Sequence, residues 1–138
     1  MGIFDKLGGK SELNLTSQGA LLLASFTMIG IDGDIDDDEV AIVQRIDRGN
    51  RSNTDWENAL KLWRKKSIIE CIELVSNTLD KNEQVTVMAN LIDIAMADGV
   101  LEGDEKNLLE KYIESFDVDI ATIESIVDVI SIKNKTFF

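Results

Sequence analysis

Two stretches of this chain are apolar on nearly every side of a helical wheel: ALLLASFTMIGI at 20–31 and VTVMANLIDIAMA at 85–97. A helix with no polar face belongs in the middle of a bundle. Each is followed by a short acidic octet and then by a helix with a single apolar stripe. The first stripe is Val40, Ile42, Val43 and Ile46; the second is Leu108, Leu109, Tyr112, Ile113 and Phe116. The chain therefore reads as a duplicated helical hairpin with two further helices inserted between the copies.

Helix starts are legible from the capping pattern, in which a Ser, Thr or Asp accepts from the third helical N–H and a Glu at that position reaches back. It occurs at Asp36–Glu39, Thr54–Glu57, Ser67–Glu70 and Asp80–Glu83, with Thr16 and Asp119 as simpler N-caps. These marks predict seven helices, over about 16–31, 37–48, 55–65, 68–79, 81–97, 103–115 and 119–132. The fold class is all-α: one domain at 16–132, a bundle of about seven helices built from two related hairpins. Residues 1–15 form an N-terminal arm and 133–138 a tail, whose Phe137 and Phe138 are expected to be loose. The absence of proline agrees with uninterrupted helices.

Composition narrows the chemistry. At 138 residues the chain is long enough to bury a real core. Its net charge of −12 repels nucleic acid and anionic lipid and attracts cations. The cluster Lys61, Arg64, Lys65 and Lys66 reads as the solvated end of a helix. With no histidine and a single cysteine, Cys71, the chain can build neither a Ser-His-Asp or Cys-His arrangement nor a Cys/His zinc site nor an internal disulfide. Cys71, among Ile68, Ile69, Ile72, Leu74 and Val75, reads as a small core residue. MGIFDKLGGK is too short and charged for a signal peptide, and Lys6 stands where myristoylation needs Ser or Thr. No apolar run approaches the ~20 residues that span a bilayer. The expected location is the cytoplasm, without a transmembrane segment.

The two octets carry the candidate chemistry. Residues 32–39 read DGDIDDDE and 98–105 read DGVLEGDE, and they align without a gap. Neither is an EF-hand, which needs ligands at positions 1, 3, 5, 7, 9 and 12 and a Gly at 6. Counting from Asp32 puts Asp37 at 6 and Val43 at 12; counting from Asp98 puts Val100 at 3 and Leu109 at 12. Much of each octet also has a plain helical explanation. Gly33 and Gly99 would close the buried helices in the left-handed conformation. Ile35 and Leu101 would plug into the core. Asp36, Glu39 and Glu105 would serve the N-termini that follow, where acids meet the positive helix end. Capping does not, however, require Asp32 and Asp98. Two carboxylates ~6 Å apart repel by roughly 3 kcal/mol at an effective dielectric of 20 and by under 1 kcal/mol in water. Converging octets would therefore call for a bound cation or for carboxyls with raised pKa values. The candidate ligands are Asp32, Asp36, Asp38, Glu39, Asp98, Glu102, Asp104 and Glu105, and all-oxygen donors suit Ca²⁺ or Mg²⁺. The sequence leaves open whether the octets lie at one end of the bundle or at opposite ends.

IGIDGDIDDDEVAIVQRI and AMADGVLEGDEKNLLEKYI resemble the two signature segments of the TerB-like domains, named from bacterial tellurite-resistance proteins, and MGIFDK is similar to their starts. The resemblance spans roughly residues 15–130. It implies an all-helical fold of about seven helices in two related halves and no enzymatic activity. It associates the chain with tellurite and stress resistance, through metal-ion binding or as an interaction module near the membrane. The family's acidic signature falls on Asp32, Asp38 and Glu39 and on Asp98, Asp104 and Glu105, with Asp36 and Glu102 at its variable acid. The second copy departs at Gly103, where the first has Asp37, so the two halves are not expected to be equivalent.

Two readings of function follow. One is a non-catalytic module that binds a divalent cation, Ca²⁺ in preference. The other is an adaptor whose acidic surface meets a basic protein partner without metal. A third, a Mg²⁺-dependent nucleotide pyrophosphohydrolase, needs E-x-x-E followed by E-x-x-D. The chain offers Glu70 and Glu73, then Asn90 and Asp93, so one ligand is missing.

Overall fold

The computed structural model describes residues 15–33, 35–48, 53–97 and 103–135. Among them are seven helices and no strand: α1 (Ser17–Ile29), α2 (Asp37–Asp47), α3 (Asn53–Lys65), α4 (Ile68–Thr78), α5 (Lys81–Ala95), α6 (Gly103–Ser115) and α7 (Ile120–Lys133). Five begin after the predicted cap: Thr16, Asp36, Ser67, Asp80 and Asp119 each accept from a first-turn N–H. The boxes Asp36–Glu39, Ser67–Glu70 and Asp80–Glu83 are closed in both directions. Thr54 is the exception. α3 already includes Asn53, so Thr54 lies inside the helix and caps nothing.

α1 is the hub. It packs against α2, α3, α4 and α5, and every residue from Gly19 to Ile29 except Leu21 is buried. The expectation of a fully enclosed helix holds there. It does not hold for α5, which buries Gln84, Val87, Met88, Leu91, Ile92 and Ala95 and leaves Thr86 exposed. α5 lies at one side of the bundle against α1, α6 and α7. α2 is more weakly seated than its stripe suggests, since only Val43 is fully buried and Val40, Ile42 and Ile46 are half-exposed. The α6 stripe is buried as expected, apart from a half-buried Ile113.

Packing fixes the residue at the end of α1. The helix stops at Ile29 and its C-cap is Gly30, at φ −100°. Any side chain at Gly30 would strike Trp63, whose Cζ2 lies 2.5 Å from where a Cβ would stand. Gly33, expected to close the helix, instead closes a turn beyond it: its N–H donates to the Gly30 carbonyl, and its φ is +99°. Phe26 meets Trp56 edge-on at 5.1 Å, fastening α3 to the hub.

Buried polar groups are few and paired. The Thr27 hydroxyl donates to the Ala24 carbonyl at 2.6 Å and lies 2.7 Å from the Tyr112 hydroxyl. With its one proton spent, Thr27 must accept from Tyr112, and the bond joins α1 to α6. Gln84 accepts from the Asp117 N–H at 2.8 Å and donates to the Ser76 carbonyl. Cys71 is fully buried, as expected of a small core residue, and burial pushes its thiol up to about 11. Lys133, expected in the tail, lies in α7 and pairs with Asp93 at 3.1 Å.

Candidate metal centre

The first octet begins where α1 has ended. The turn over Gly30–Gly33 swings Asp32 clear of the core, where it is exposed. Ile35 then packs against the core as expected, and this half-buried plug fixes where α2 can start. Asp36 caps α2 by accepting from the Glu39 N–H at 2.8 Å, while Glu39 Oε1 accepts from the Asp36 N–H at 3.0 Å. That reciprocal pair holds Glu39 at the helix mouth, half-buried, with one carboxylate oxygen outside the box.

α6 starts in the same register, with Asp104 and Glu105 in its first turn. Its first residue, Gly103, has φ +68°, a conformation costly to any L side chain. This accounts for the departure from Asp37 in the first copy: the two octets enter their helices with different backbones.

The octets meet. Asp32 and Glu39 from the first, with Asp104 and Glu105 from the second, line one cleft of about 260 Å³ floored by Met28, Ile29 and Ile31. The C-terminal end of α1 and the N-terminal turns of α2 and α6 therefore share one end of the bundle, which the sequence left open. Asp36 and Asp38 do not line the cleft: Asp36 serves as a cap, and Asp38 is exposed. Asp98 and Glu102 lie outside the described residues, as do Gly99 and Leu101.

The cleft suits a hard cation in donor type, since all four polar side chains are carboxylates. In distance it is incomplete. Among the described residues no three acidic or thiol side chains stand close enough to hold an ion together. The acids present would need an inward shift of the first turns, further ligands, or water to complete a shell.

The pattern over these segments decides the family. The family model described as Tellurite resistance protein TerB matches residues 18–128, from the first turn of α1 into α7. The chain belongs to the TerB family. No curated protein and no solved structure matches this TerB domain.

Glu70 is held in a capping box with Ser67, whose N–H and hydroxyl bonds keep its carboxyl below the usual range. The Asn90 amide donates back to the Thr86 carbonyl, and Asp93 is paired with Lys133. Three of the four residues a pyrophosphohydrolase would use are thus committed locally, and the fourth, Glu73, is exposed on α4. The Lys61, Arg64 and Lys65 side chains are exposed at the end of α3, as a solvated helix terminus should be. No helix among the described residues is long and apolar enough to cross a membrane.

Sequence reasoning missed a second surface beside the cleft. Ile31, Ile69 and Leu108 floor a groove of about 450 Å³ rimmed by three acids, Asp104, Glu110 and Glu114, and one base, Lys111. It shares Ile31 and Asp104 with the cleft. Ile69, at the first turn of α4, is 56% exposed, but nothing in the sequence sets it apart from Ile68 and Ile72, which pack on the core.

Proposed function

We propose that this TerB domain is a non-catalytic module of the tellurite-resistance type that binds a divalent cation, Ca²⁺ in preference, between its two acidic octets. The observation that carries the reading is the convergence of Asp32, Glu39, Asp104 and Glu105 on one cleft. Four carboxylates gathered at one end of a chain of net charge −12 repel one another unless a cation or salt intervenes. Asp98 and Glu102, in the same octet as Asp104, complete the proposed ligand set. Ca²⁺ tolerates six to eight oxygens in irregular geometry, whereas Mg²⁺ demands a tight octahedron, so a wide cleft with partly committed acids favours Ca²⁺. Ion binding would draw the first turns of α2 and α6 together and stiffen that end of the bundle.

The test is calorimetric titration of metal-stripped protein with Ca²⁺ and then Mg²⁺. The expected result is saturable micromolar Ca²⁺ binding at one ion per chain, stronger than Mg²⁺, and lost in the Asp32→Asn/Asp98→Asn double variant. Absence of heat with both ions, or unchanged binding in the double variant, overturns the reading.

One observation favours a second reading, the metal-independent adaptor. The acid-rimmed apolar groove next to the cleft fits a basic amphipathic segment of a partner protein, and the described carboxylates stand too far apart to hold an ion as they are. Binding of a basic partner that is weakened by salt but unchanged in EDTA would establish this reading in place of the first.

A further inference from the structure

At the far end of α2 the surface reverses sign. Ile42, Ile46 and Ile94 form the apolar floor of a groove of about 320 Å³ between α2, α5 and the end of α7, and Arg45, Arg48, Lys133 and Asp93 stand at its rim with the amides of Asn90 and Asn134. Lys133 is already neutralised by Asp93 at 3.1 Å. Arg45 and Arg48 are exposed and make no ion pair among the described residues. Arg45 lies in the last turn of α2 and Arg48 is its C-cap, where both meet the negative helix end but neither has a carboxylate partner among the described residues. In a chain with 26 acids and 14 bases, two adjacent unpaired guanidiniums over an apolar floor are not what bulk composition would produce.

The backbone supplies an independent observation. Arg48 sits at φ 46°, ψ 54°, and is the only non-glycine residue in the left-handed region among the described residues. Helices commonly end in that conformation, but on a glycine, which bears it without strain. Here the glycine is the next residue, Gly49, and an arginine carries the strained position. Strain of this kind persists where a side chain is needed in place.

We propose that this groove docks an acidic amphipathic segment of a partner protein, with an aliphatic side chain on Ile42, Ile46 and Ile94 and flanking carboxylates on the Arg45 and Arg48 guanidiniums. Guanidinium is the group that grips carboxylate by two parallel hydrogen bonds. A bare inorganic anion would leave the apolar floor uncovered, and an acidic protein without the apolar anchor would be repelled by the rest of this surface. The inference does not rest on the cation reading, since the groove shares no residue with the acidic cleft.

The test is fluorescence anisotropy of a labelled short peptide alternating Asp and Glu with Leu and Ile, in EDTA at low salt. The expected result is saturable binding despite the protein's negative charge. Replacing the aliphatic residues by Ser should abolish it, and Arg45→Gln or Arg48→Gln should weaken it about tenfold each. Arg48→Gly separates role from fold: it should weaken binding as Arg48→Gln does, yet raise the thermal midpoint because glycine relieves the backbone strain. No binding, equal binding of the Ser peptide, or full affinity in the Arg48 variants overturns the proposal. So does binding of anionic phospholipid vesicles in place of the peptide.

Discussion

At the scale of single residues, the bond between Thr27 and Tyr112 gives the sharpest energetic contrast. Tyr112 Oη is the donor, because the Thr27 hydroxyl is committed to the Ala24 carbonyl. Thr27→Val leaves a fully buried phenol with no acceptor and should cost about 1–3 kcal/mol. Tyr112→Phe removes only the donor and leaves Thr27 bonded to Ala24, so about 1 kcal/mol is expected. Denaturant unfolding of the two variants should show Thr27→Val as the less stable; the reverse order would mean that Thr27 donates. Tyr112 also shapes the alkaline limit. Burial pushes its phenol well above the ordinary range, while in the unfolded chain it ionises near ~10. The folded state holds its proton where the unfolded state has lost it, so the Tyr112 contribution to stability is complete below pH ~10 and falls as pH rises. Cys71 adds to the fall between its ordinary value of 9.0 and about 11. The loss of stability on going from neutral pH to above pH 10 should be smaller in Tyr112→Phe than in the wild type.

At the scale of elements, the helices were legible because their starts are local. A capping box needs only an acceptor and a Glu three residues apart, and Asp36, Ser67 and Asp80 each fulfil it. The same locality misplaced Thr54, because the pattern recurs by chance inside a helix. What the pattern could not supply depends on neighbours distant in sequence. α1 ends at Gly30 rather than at Gly33, and Gly30 must be glycine because Trp63, from α3, occupies the space a side chain would need. The burial of Gln84 likewise depends on the Asp117 N–H, 33 residues away. The start of α6 offers a test in which two principles predict opposite signs. Helix propensity says that Gly103→Ala should stabilise by up to ~1 kcal/mol. The positive φ of Gly103 says that it should destabilise by about 1–2 kcal/mol. We expect the second, a thermal midpoint lowered by several degrees. A midpoint at or above that of the wild type would show that α6 begins with ordinary helical backbone, and that the two octets are more alike than Gly103 implies.

At the scale of the whole molecule, charge is segregated: acids of both octets share the cleft at the C-terminal end of α1, and arginines without an ion pair among the described residues flank the groove at the other end of α2. The duplication announced the acidic residues, but their meeting depends on how α1 crosses its neighbours, which periodicity does not encode. That convergence has a mechanical consequence. Without a cation, the carboxylates of Asp32, Glu39, Asp104 and Glu105 push the α1–α2 and α5–α6 hairpins apart. Asp32 and Asp104 are exposed, so each pair is worth nearer ~1 than ~3 kcal/mol, and salt screens it over ~8 Å at physiological strength. Against this, neutralising Asp104 forfeits ~0.3–1 kcal/mol at the N-terminus of α6. Several repelling pairs should outweigh one dipole contribution. In EDTA at low salt, the Asp32→Asn/Asp104→Asn variant is therefore expected to melt a few degrees above the wild type, and the gap should close as NaCl is added. Adding Ca²⁺ should reverse the order, raising the midpoint of the wild type and leaving that of the variant where it was. A variant that melts below the wild type in EDTA would mean that the acids serve their helices rather than an ion. A Ca²⁺ increment of equal size in both proteins would place the bound ion elsewhere than in the cleft.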